Sequence, residues 1–101
     1  MPYIKKEDRI KYENVLNSLR TIFEYHDEIE VGEFNYLVSS AISQLLKDKG
    51  LNYKNCNGVI GSLECVKLEL YRKVIAPYED EKITENGDVY EDLNKKPKSK
   101  T

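Results

Sequence analysis

Residues 63–90 read LECVKLELYRKVIAPYEDEKITENGDVY, and their pattern decides the fold. Leu63, Val66, Leu70 and Val74 recur at three- and four-residue steps, the period of one helix face. Glu69 stands four residues before Lys73, a spacing that supports an exposed ion pair. Pro77 lacks a backbone donor and disfavours helix at Ala76. It also suits the first turn of a new helix, where Glu79, Asp80 and Glu81 complement the dipole. Asn86-Gly87 supplies a stop. The stretch predicts a long helix, then a kinked continuation or short fourth helix from Pro77 to Glu85. Asp88-Val89-Tyr90 is expected to dock as an extended segment.

Working back from this stretch, the long third helix starts between Asn52 and Asn57, with those asparagines as cap candidates. Val59 and Ile60 extend its apolar face, and Cys65 falls within the pattern as an expected buried thiol. At roughly 22 residues it would be about 33 Å long. Helix two carries a stripe of Phe34, Leu37, Val38, Ala41, Ile42, Leu45 and Leu46. Gly32 is its expected N-cap and Gly50 its C-terminal glycine, after Lys47 and Lys49. Helix one runs from about Lys6 to Glu24 on Tyr12, Val15, Leu16, Leu19, Ile22 and Phe23. Helix three is the longest of the three, so its overhang needs cover, and a second chain is the simplest source.

Composition bounds what such a chain does. A length of 101 residues implies one domain, and a core this small often gains stability by oligomerising. The aromatic residues are eight Tyr and two Phe with no Trp, and tyrosine suits half-buried seams and interfaces. The net charge of −2 implies no global pull toward nucleic acid or anionic membrane. Charge is nonetheless uneven. Glu79 to Asp92 holds seven acids against Lys82 alone, Glu24 to Glu33 holds five acids and no base, and the tail carries Lys95, Lys96, Lys98 and Lys100. These read as solvated faces and a solubilising tail. Cys56 and Cys65 lack zinc-ligand spacing. The start MPYIKKEDR has no apolar core of a signal peptide, and no run approaches the roughly 20 apolar residues that span a bilayer. A cytoplasmic location is expected.

Several blocks carry a resemblance. They are Met1-Pro2-Tyr3-Ile4-Lys5 with Glu7-Asp8-Arg9, the Gly32-Glu33-Phe34-Asn35-Tyr36 box, the run from Leu63 to Arg72, and Ala76 to Lys82 with Glu85 to Tyr90. Together they resemble a family of small uncharacterised proteins from bacteria, archaea and phages. In relatives the second box is more often Gly-Glu-Leu-Asn-Tyr, so Phe34 is an apolar variant. The resemblance spans residues 1–90. It implies a shared fold and shared surfaces, and it implies no activity.

Among chemical readings, Pro2 resembles the amine base of small tautomerases, but those enzymes open on a β-strand and this chain does not. The bland alternative is an ordered arm packing Tyr3 and Ile4. His26, the single histidine, sits in Tyr25-His26-Asp27-Glu28, where a solvated loop residue is the simpler reading. Glu79, Asp80, Glu81, Glu85 and Asp88 do not match an EF-hand loop, and no metal or cofactor is expected. Walker, GxGxxG, HExxH and GxSxG motifs are missing from the sequence. Gly58 and Gly61 read instead as permitting close helix approach. No basic recognition helix exists, so DNA binding is disfavoured.

The most testable constellation is Glu64, Lys67, Tyr71, Arg72 and Tyr78, with Asn35 and Tyr36 from helix two. Glu64, Lys67 and Tyr71 share a helix face at i, i+3 and i+7, and Arg72 and Tyr78 follow near the proline. Arg and Lys beside tyrosines suit an anionic planar ligand such as a nucleotide. The alternative is a salt-bridge ladder at a dimer seam. The expected fold is all-α: a three-helix bundle over 1–90 with a Pro-kinked acidic extension, and a disordered Lys-rich tail from 91 to 101. The leading functional expectation is a non-enzymatic interaction protein whose partner is itself, together with another protein. A binder of an anionic nucleotide at an oligomer interface is the second, and an enzyme of unrecognised type the third.

Overall fold

The computed structural model describes residues 2–25, 28 and 30–94. His26 and the Lys95–Lys100 tail lie outside the described residues. The fold is all-α and of the helical-bundle class, as the sequence predicts. Among the described residues it has three long helical stretches, 6–25, 31–49 and 53–86, and no strand. The chain divides into two compact units, Met1–Val66 and Lys67–Thr101, where the sequence suggests a single domain over 1–90.

In the first unit, α1 (Lys6–Arg9) passes through a 3-10 turn (Ile10–Tyr12) into α2 (Glu13–Tyr25). Arg9 Nε donates to the Ile4 carbonyl at 2.8 Å and ties down the N-terminal arm. Helix α3 (Val31–Lys49) begins one residue before Gly32, so Gly32 is not its cap. Glu30 takes that position, its carbonyl accepting from Glu33 N and Phe34 N at 3.0 and 3.2 Å. Its extended backbone already has the conformation a cap needs, without a side-chain bond. Gly50 closes α3 as expected. Its φ of +111° is open to glycine and strained for other residues, and its N–H donates to the Leu46 carbonyl at 2.9 Å. Asn52 caps α4 (Tyr53–Leu70), its Oδ1 accepting from Asn55 N at 2.8 Å.

In the second unit the third helix does not stop at Ala76. It widens into a π-turn (Tyr71–Ile75) and continues as α5 (Ala76–Asn86). In a regular α-helix the Pro77 ring meets the carbonyl four residues back. The π-turn shifts the pairing by one, so Ala76 N–H donates to the Tyr71 carbonyl, five residues back. The acidic extension is thus a continuation of the third helix. Gly87, with φ of +93°, ends it by donating to the Ile83 carbonyl at 2.8 Å. Residues 88–90 form a bend in which Asp88 Oδ1 accepts from Tyr90 N at 2.8 Å. A short helix, α6 (Glu91–Asn94), follows where the sequence places the start of the tail.

Among the described residues none is buried. Leu19, Leu37, Val38, Ile42, Leu46 and Val59 reach half-burial, while Val66 and Val74 stand 56% and 57% exposed. Cys65 is exposed rather than buried, and Cys56 is half-buried.

Candidate functional site

A concavity of the first unit lies between α3 and residues 54–66 of α4. Ala41, Ile42 and Leu45 form one wall, and Gly58, Val59, Ser62, Leu63 and Val66 form the other, with Asn55 at the closed end. The groove measures about 560 Å³. Apolar residues at three- and four-residue steps on both helices make the walls. Ala41, Gly58 and Ser62 are too small to fill the space between them. Lys49 and Lys54, also lining the groove, give it a basic end.

That end is held by hydrogen bonds. Asn55 Nδ2 donates to the carbonyls of Lys49 and Gly50 at 3.1 and 2.9 Å. These carbonyls close α3 and would otherwise lack a helical donor. A half-buried Asn55 therefore fixes where α4 leaves α3, and with it the placement of both lysines. A Cβ at Gly58 or Gly61 would meet no heavy atom within 4 Å, so neither glycine is needed for helix approach within this chain.

The residues singled out by sequence are more dispersed. Asn35 and Tyr36 lie on α3, where Asn35 Oδ1 accepts from Ser39 Oγ at 3.0 Å and Tyr36 is 71% exposed. Glu64 lies on the α4 portion of the first unit. Lys67, Tyr71, Arg72 and Tyr78 belong to the second unit. There, Arg72 Nη2 meets Glu69 Oε1 at 2.6 Å, with Arg72 largely exposed and Glu69 half-buried. Glu69, which the sequence places four residues before Lys73, thus also meets the guanidinium three residues on. Lys82 Nζ sits 5.5 Å from the Tyr78 ring centre. The π-turn inserts the equivalent of one residue, a rotation of about 100°. It takes Tyr78 off the face of Lys67 and Tyr71 and stacks it in line with Leu70 and Val74.

Sequence reasoning missed the groove. Its signal is the pair of small residues Gly58 and Ser62, four apart, each followed by an apolar residue, Val59 and Leu63. Among the described residues no group of three His, Cys, Asp or Glu is placed to hold a metal ion. No helix among them is long and apolar enough to cross a membrane.

No curated protein and no solved structure matches this chain. A family model described as a domain of unknown function (DUF6899) matches residues 1–89, the span that holds every helix of 6–25, 31–49 and 53–86. The chain belongs to this uncharacterised family, DUF6899.

Proposed function

We propose that this protein is a non-enzymatic, self-associating interaction protein of the cytoplasm. One observation carries the reading: no described residue is buried, and large apolar side chains stand exposed along the helices. The exposed residues are of the kind an interface covers. Tyr71, Val74, Tyr78 and Leu70 are 50%, 57%, 56% and 48% exposed, and tyrosine and aliphatic side chains suit a buried interface centre.

Sedimentation equilibrium combined with native mass spectrometry of the untagged protein tests the proposal. The expected result is a homo-oligomer that persists at micromolar concentration and carries no adduct. A monomer across the whole range would overturn the self-association. A stoichiometric adduct of nucleotide mass would replace this reading with a ligand-binding one.

A further inference from the structure

We propose that the groove between α3 and α4 is the seat of a second copy of this chain, entered by that copy's residues 70–81. The inference rests on the self-association reading above and names its interface.

Three features of the two surfaces match. The first is shape. Gly58 and Ser62 leave room between the groove walls, and the second copy's segment offers exposed apolar side chains to enter it. The ridge is Leu70, Val74 and Tyr78, brought into line by the π-turn and 48%, 57% and 56% exposed. The second is polarity, since wall and ridge are both apolar and water is released from each on contact. The third is charge. Residues 47–54 hold Lys47, Lys49 and Lys54 against Asp48, a net of +2. Residues 79–92 hold seven acids against Lys82, a net of −6. A ridge seated with Tyr78 toward the basic end delivers Glu79, Asp80 and Glu81 to Lys49 and Lys54. Each copy owns one groove and one ridge, so every copy both offers a ridge and receives one.

Charge reversal tests the pairing. Lys49→Glu/Lys54→Glu and Glu79→Lys/Glu81→Lys are each expected to weaken self-association by about tenfold or more, because like charges then face each other at the contact. Combining all four substitutions, or mixing the two variants, is expected to restore it. A zero-length carbodiimide cross-linking experiment on wild-type protein, mixed from 14N- and 15N-labelled batches, serves if a variant fails to fold. Mixed-isotope cross-links between Lys49 or Lys54 and Glu79, Asp80 or Glu81 are expected. An oligomer whose affinity ignores both reversals, or cross-links confined to other pairs or to single-isotope species, overturns this interface and leaves self-association standing. A monomeric wild type overturns both.

Discussion

Asn55 holds the end of the preceding helix: its Nδ2 donates to the Gly50 carbonyl at 2.9 Å and to the Lys49 carbonyl at 3.1 Å. One side chain thus satisfies two helix-terminal acceptors and sets the end of the groove where α3 passes into α4. Asn55→Ala should cost about 1–2 kcal/mol, since both carbonyls lose a half-buried donor. Thermal unfolding followed by far-UV circular dichroism should show a midpoint several degrees lower. An unchanged midpoint would mean that water replaces the amide without loss.

The glycines divide by backbone. Gly50 and Gly87 adopt φ of +111° and +93°, so Gly50→Ala and Gly87→Ala should each cost about 1–3 kcal/mol. At Gly50 the added Cβ also comes 3.4 Å from Asn52 Nδ2, placing that variant at the upper end. Gly32→Ala and Gly61→Ala sit in helix with open space around the new methyl and should stabilise by roughly 0.5–1 kcal/mol. Urea titration of the four variants ranks them, and a stabilised Gly87→Ala would contradict the cap assignment.

Pro77 is the physical reason for the π-turn, so Pro77→Ala should let Tyr71–Ile75 relax toward α geometry. The helix gains a donor and loses a ring, and its stability should rise by about 1–3 kcal/mol. Amide hydrogen exchange should slow across 71–75. Equal protection in both proteins would show that something other than the proline maintains the turn.

The ion pair of Arg72 with Glu69 is short at 2.6 Å, but Arg72 is largely exposed. Solvent screening limits such a pair to less than about 1 kcal/mol. Arg72→Ala should therefore leave the unfolding free energy within about 0.5 kcal/mol of wild type, as measured by denaturant titration. A loss of several kcal/mol would assign the guanidinium a larger role than its exposed pairing supports.

Much of the helical layout was legible in the residues because its causes are local. The stops at Gly50 and Gly87 follow from glycine's backbone freedom, and the start near Asn52 follows from a side-chain oxygen within reach of Asn55 N. The Gly32 cap failed because Glu30 could cap through its carbonyl alone, which residue identity does not advertise. The π-turn was not legible either, since Pro77 permits a break, a kink or a widened turn, and the choice depends on pairing five residues back. Periodicity marked Val66, Val74 and Cys65 as wanting cover, but it cannot say whether that cover comes from the same chain. Glu64, Lys67 and Tyr71 group by α-helical phase, whereas Arg72 and Tyr78 join them only by nearness to Pro77, and the π-turn changes the phase before Tyr78 is reached.

The π-turn at Tyr71–Ile75 has a consequence for how such a helix can vary. A π-turn is a helix that has absorbed one surplus residue without breaking. Deleting any single residue within it returns the backbone to the regular repeat and leaves everything downstream in its present phase, because Leu70 and Tyr78 then stand seven positions apart on one helix face. Relaxation of the turn to four-residue pairing without a deletion does the opposite and turns α5 by about 100° relative to Leu70. The acidic end is therefore re-aimed by a change of hydrogen-bond register alone, and a one-codon deletion is the change that holds it in place.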